Sequence, residues 1–184
     1  MTASLLRVKK FWVTLLLAFT SIQVLSSELP ERLPFVNASY KGTLNYIDYS
    51  NGKPVAIPLE IQFLAGIDGK TLIVDRVYTD PGFQVFSLSV MRYLKNTKSW
   101  IDETFEGNEQ TTDHYSILEF SVPNDEYWKI IRTIQKQDNN RDAMLTITDV
   151  FDGDKFFSET RVDYLDTTKN ENLRRNWIEL ARRP

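Results

Sequence analysis

Apolar and polar residues alternate along most of this chain. Between residues 53 and 66, Val55, Ile57, Leu59, Ile61, Phe63 and Ala65 fall on one side of an extended backbone, with Ala56, Pro58, Glu60, Gln62 and Leu64 on the other. The same period of two returns in Leu118, Phe120 and Val122, in Trp128, Ile130 and Ile134, and in Ala143, Leu145, Ile147 and Phe151. It is the period of a β-strand, whose successive side chains point to opposite faces. Turn-forming residues separate the alternating segments: Asn51-Gly52, Asp68-Gly69, Pro81-Gly82, Asn96-Thr97, Gly107-Asn108, Asn124-Asp125, Asn139-Asn140, Asp152-Gly153, and Thr168 to Asn170. Asn-Gly and Asp-Gly pairs supply the positive φ angles of tight hairpins. The spacing leaves room for one strand and one turn, and not for a strand followed by a crossover helix.

The pattern predicts roughly ten strands, near 37–49, 53–66, 70–79, 83–94, 98–106, 110–122, 126–137, 141–151, 155–166 and 172–182. An antiparallel meander of that length strains as a flat sheet, so the expected fold is all-β, an up-and-down meander closing into a barrel. A two-sheet sandwich would bring longer crossovers than these turns allow. Two segments are ambiguous. Leu173, Trp177, Leu180 and Ala181 also fit one face of a helix. Residues 28–36, with Pro30 and Pro34, are expected to form an extended arm or a short helical turn across one barrel end.

The beginning of the chain follows a different rule. Arg7, Lys9 and Lys10 precede an apolar run from Phe11 to Phe19, and Val24-Leu25-Ser26 stands before Ser27. That order is the signature of a cleaved export signal, and the apolar run falls short of the about 20 residues that a membrane-spanning helix needs. The expectation is a signal peptide over residues 1–26, then a single barrel domain over 27–184 that does not span a membrane. The periplasm is the expected destination, with secretion as the alternative.

Composition narrows the chemistry. Cysteine is absent, which removes disulfides, thiolate metal sites and thiol catalysis. One histidine, His114, rules out any site built on two imidazoles. The net charge is −3, and because residues 1–26 carry basic but no acidic side chains, the exported part is more acidic still. Nucleic acid, which demands a concentrated basic surface, is therefore not an expected partner. No catalytic or cofactor motif is present, and neither cofactor nor metal is expected. Asp102-Glu103 is an acid pair, and Asp152 and Asp154 flank a hairpin glycine, which is too few oxygens for a calcium loop.

A strand meander of this kind, with Tyr40-Lys41-Gly42 near its start and Arg161-Val162-Asp163-Tyr164 through Trp177 near its end, resembles the lipocalin-like barrels, including the calycin, fatty-acid-binding and nitrobindin-type groups. The resemblance is one of architecture. It implies an internal cavity for a small, mostly apolar molecule, and it carries over no binding residue.

Ionisable residues that share a face with the apolar set are the informative ones, because such groups are rarely buried unless paired. Arg76 shares the face of Leu72, Val74 and Tyr78; Arg132 that of Trp128, Ile130 and Ile134; Asp149 that of Leu145, Ile147 and Phe151. An inward guanidinium suits a ligand carboxylate, since its planar fork presents paired donors. Arg132, with apolar neighbours on both sides, is the strongest candidate. The expected ligand-binding set is Arg132, Asp149, Arg76, Tyr78 and Trp128. Arg132 and Asp149 lie on neighbouring strands, so a structural ion pair between them is the competing expectation. Asp113 and His114 point to opposite faces and cannot form a base with its orienting acid. The basic residues Arg174, Arg175, Arg182 and Arg183 either solvate an edge strand or meet an anionic surface. The functional expectation is a non-enzymatic binder of a small apolar or carboxylate-bearing molecule in the cell envelope. The alternatives are an interaction protein with a filled barrel, and a cofactor-free enzyme using Asp149 as base and Arg132 as anion stabiliser.

Overall fold

The computed structural model describes Leu33, residues 35–167 and residues 171–184. The expected signal peptide lies outside the described residues. Ten strands follow one another: β1 (Ala38–Ile47), β2 (Pro54–Ala65), β3 (Thr71–Asp80), β4 (Phe83–Leu94), β5 (Ser99–Glu106), β6 (Glu109–Asn124), β7 (Tyr127–Asp138), β8 (Arg141–Asp152), β9 (Lys155–Tyr164) and β10 (Leu173–Arg182). Each pairs with its sequence neighbours, and β10 returns to pair antiparallel with β1, so the meander closes into a barrel. Among the described residues the one helical element is a 3-10 turn at Lys95–Thr97, and no helix is long and apolar enough to cross a membrane.

The last segment is a strand and not a helix. Its backbone pairs on both sides, Leu180 lying opposite Gly42 of β1 and Phe156 of β9. As a helix it would leave β1 and β9 as open edges with unpaired backbone groups, whereas a closed barrel has none. The seam depends on Gly42, where a Cβ would lie 2.0 Å from the backbone oxygen of Glu179.

β6 departs from simple alternation. Its register with β7 shifts between Ile117 and Glu119 and again between Ser121 and Asn124. The first irregularity inverts which side chains face inward. Tyr115 is buried and Ile117 packs on the core, as do Phe120 and Val122, while Leu118 is pushed into solvent at 66% exposure. Leu118 is therefore not on the face of Phe120, and it shares its exposed side with His114. An extra residue in one strand opposes two side chains to one and re-aims everything beyond it.

The two barrel ends are built differently. At the end where β1 begins, a turn over residues 35–37 drives Phe35 into the opening. It is held by a hydrogen bond from Asn37 N–H to Phe63 O (2.7 Å), and Asn37 adopts φ 60°. Phe35 is 1% exposed and stacks on Phe151 with centroids 3.7 Å apart, while Phe63 and Trp128 meet it edge-on at 5.2 and 5.1 Å. The segment expected to cross a barrel end does so through Phe35; residues 28–32 and 34 lie outside the described residues.

Polar groups gather at the opposite end. Asp138 accepts hydrogen bonds from the Tyr49 hydroxyl, from the Tyr164 hydroxyl at 2.7 Å and from Arg175 Nε at 3.4 Å. Arg175 also donates to Ile47 O at 2.9 Å and lies 3.7 Å over the Tyr49 ring. Burial, then the Asp138 contact, pushes the Tyr49 phenol far above its ordinary value, so it stays a neutral donor. This clasp ties β1, β7, β9 and β10 together.

Candidate functional site

Above the aromatic floor the barrel holds a partly open cavity of about 210 Å³. An apolar cavity of roughly 150 Å³ is enough to hold a benzene molecule, so the space suits a single ring or a short acyl chain. Ile61, Leu72, Val74 and Met91 form an aliphatic wall, and Trp100, Tyr115 and Trp128 an aromatic one. Alternate residues of β2, β3, β4, β5 and β7 point inward to supply all of these but Tyr115, which comes from β6 ahead of its register shift.

Two charged groups face each other across the β7–β8 ladder. Arg132 is cross-strand from Ile147, and Asp149 from Ile130, a diagonal offset that long side chains bridge. Arg132 Nη1 lies 3.1 Å from Asp149 Oδ2, and the Ser158 hydroxyl donates to Asp149 Oδ1 at 2.6 Å. Both residues are buried. The guanidinium also lies against two rings, its carbon 4.9 Å from the Tyr115 centroid and 5.7 Å from that of Trp100. Burial raises the Tyr115 phenol well above its ordinary value, with the Arg132 charge opposing.

Arg76 has a different environment. It is half-buried on the inner face of β3 and donates from Nη1 to Ser89 Oγ at 2.6 Å. Ser89 is 2.7 Å from Thr104 Oγ1, and the Thr104 hydroxyl donates to Asp102 Oδ1 at 3.1 Å. Arg76 can only donate and Asp102 accepts from Thr104, so the row runs in one sense, Arg76 to Ser89 to Thr104 to Asp102. No carboxylate among the described residues comes within ion-pair distance of Arg76. Asp102 is buried and is not part of the cavity wall.

Three residues of this wall each carry a buried donor with no hydrogen-bond partner among the described residues: the indole N–H groups of Trp100 and Trp128, and Arg132 Nε. An unpaired buried donor costs about 1–3 kcal/mol, and native interiors hold few of them.

Of the expected set, Arg132, Asp149, Arg76 and Trp128 come together around one cavity, and Tyr78 does not line it. Tyr78 is half-buried on β3, with its phenol raised by burial against the opposing charge of Arg76. Trp100, Tyr115, Ser158, Ser89 and Thr104 were not assigned to the cavity from the sequence, and Asp102 stood out there only as half of an acid pair. Asp102 satisfied the same rule of an ionisable group on an inward face, but Trp100 is the sole large apolar residue sharing its side of β5, which hid the signal.

The arginines of the C-terminal segment each have a partner. Arg174 pairs with Glu159 at 2.6 Å and lies over the Trp177 ring at 4.0 Å; Arg182 lies 3.9 Å from Asp154 and Arg183 2.8 Å from Glu60. With Arg175 in the clasp, the basic cluster is dispersed over separate acids and is not one surface. Among the described residues no group of three or more His, Asp or Glu side chains could hold a metal ion.

No protein-family model matches the sequence. No curated protein matches it either. Among solved structures, the crystal structure of Rv2717c from M. tuberculosis is similar, with a TM-score of 0.57 at 12% identity over 82% of this chain and 94% of that one. At that identity the likeness concerns the fold.

Proposed function

We propose that this is an exported, non-enzymatic binding protein that holds one small, largely apolar molecule inside the barrel. The observation carrying the reading is the cavity itself, about 210 Å³ inside the barrel with an aliphatic and an aromatic wall. A molecule with an apolar body against Ile61, Leu72 and Met91 would bury apolar surface there, and the few polar side chains of the wall would orient it. The lipocalin-like resemblance points to the same use of the interior. Asp149 has both oxygens engaged by Arg132 and Ser158, which favours a structural role over that of a catalytic base. The signal-like residues 1–26 support a place in the cell envelope.

A second reading, an interaction protein using the barrel wall, is favoured by an exposed apolar strip at Phe86, Leu88 and Phe105 on the outer face of β4 and β5. Neither Trp100, buried at the cavity, nor Trp177, half-buried beneath Arg174, adds to that strip.

Protein expressed with its own leader, purified without denaturant and then unfolded into organic solvent is expected to release a small organic molecule in near-stoichiometric amount, detected by mass spectrometry. Its N-terminal sequence is expected to begin close to Ser27. An empty extract, together with an unfolding temperature that no small acid or alcohol raises, would leave the barrel as a scaffold.

A further inference from the structure

We infer that the head-group receptor of this cavity is Arg76, and that the ligand is a small monocarboxylate the size of one ring or of an acyl chain of about eight carbons. The inference rests on the cavity-binding reading above and assigns it a polarity and a chemical class.

The sequence favours Arg132 for this role, but the structure gives Arg132 a carboxylate already. Arg132 is paired with Asp149 at 3.1 Å and covered by the rings of Tyr115 and Trp100. A second carboxylate there would have to displace or crowd a buried one of the same charge, which the low-dielectric interior penalises. Arg76 lines the same cavity with a single hydrogen bond, to Ser89. A guanidinium has five N–H donors, so the rest of its fork remains available. Asp102, the carboxylate at the far end of its hydrogen-bond row, is separated from it by two hydroxyls and stands outside the cavity wall, so an entering head group meets the guanidinium and not that acid. The Ser89 contact also restricts the Arg76 side chain before any ligand arrives, which lowers the entropy cost of binding.

The body of the ligand follows from what surrounds Arg76. Along β3 the inward neighbours toward the floor are Val74 and Leu72, with Ile61 cross-strand from Arg76 and Met91 from Leu72. A carboxylate at Arg76 therefore points its apolar part down this aliphatic wall toward Phe35 and Trp128. The floor at Phe35 limits the length.

The test is a matched pair of probes, octanoate and 1-octanol, titrated into the protein and followed by tryptophan fluorescence. Trp100 and Trp128 line the cavity and report either probe. Wild type is expected to bind octanoate at least about tenfold more tightly than 1-octanol, the equivalent of one charge-assisted hydrogen bond. Arg76→Met should erase that preference while leaving 1-octanol affinity within about twofold, and Arg76→Lys should retain part of it. The Arg132→Met, Asp149→Asn double variant should keep it. Binding of 1-octanol as tight as octanoate in wild type would overturn the assignment of a carboxylate head while leaving the cavity-binding reading intact. Retention of the preference in Arg76→Met, or its loss only in the Arg132→Met, Asp149→Asn variant, would move the receptor elsewhere. Failure of both probes to bind would remove the cavity-binding reading and this inference with it. The wild-type comparison decides the head group even if a variant fails to fold.

Discussion

Arg132 and Asp149 show how a buried charge constrains its neighbours. Each is enclosed, and each has the other as its ionic partner. Removing one partner leaves an uncompensated charge in the interior, a change that typically costs about 3–5 kcal/mol. Arg132→Met is thus expected to lower the free energy of unfolding in urea by about that amount, and adding Asp149→Asn should recover much of it. An Arg132→Met protein as stable as wild type would mean that the pair does not hold these strands. Arg76 is the contrasting case. It is half-buried, its one hydrogen bond goes to Ser89 and no carboxylate among the described residues is within ion-pair distance, so its loss should cost less stability than the loss of Arg132.

At the scale of elements, the strand is the unit the chain specifies most clearly, and the bulge is the unit it conceals. Alternation from Val55 to Phe63 and from Trp128 to Ile134 assigns inward faces correctly because β2 pairs with β1, and β7 with β8, without a shift of register. β6 has the same look in sequence, yet the shift at Ile117/Glu119 reverses its parity, and no residue type at that point announces it. That is why Tyr115, a wall of the cavity, was hidden and Leu118 was misplaced. The ion pair of Arg132 was legible from periodicity, but which inward arginine would be left with free donors was not. It depends on cross-strand partners, Ser89 and Thr104, that only the register brings together. The final segment was ambiguous between helix and strand because a pattern of four apolar positions fits both, and the need to close the sheet decides it. Its seam is testable at Gly42. Gly42→Ala places a methyl group against the Glu179 oxygen, where the ideal Cβ would stand at 2.0 Å, and is expected to destabilise the barrel by roughly 1–3 kcal/mol in equilibrium unfolding. An unchanged midpoint would show that β1 and β10 separate there without cost.

For the molecule as a whole, the barrel reads as a vessel with one aromatic end and one polar end. Phe35, Phe151 and Trp128 close the floor, the Asp138 clasp with Tyr49, Tyr164 and Arg175 fastens the other end, and the cavity between them has Arg76, Arg132 and Asp149 in its wall. The distribution of tryptophans makes this arrangement measurable. The indole N–H groups of Trp100 and Trp128 are buried at the cavity without partners, whereas Trp177 is half-buried in the outer layer beneath Arg174. The most direct measurement is a 1H–15N spectrum of the indole N–H resonances during titration with octanoate. The account predicts that the Trp100 and Trp128 resonances shift in a saturable manner while that of Trp177 stays in place. Unmoved Trp100 and Trp128 resonances, or a shift confined to Trp177, would contradict a ligand inside the barrel.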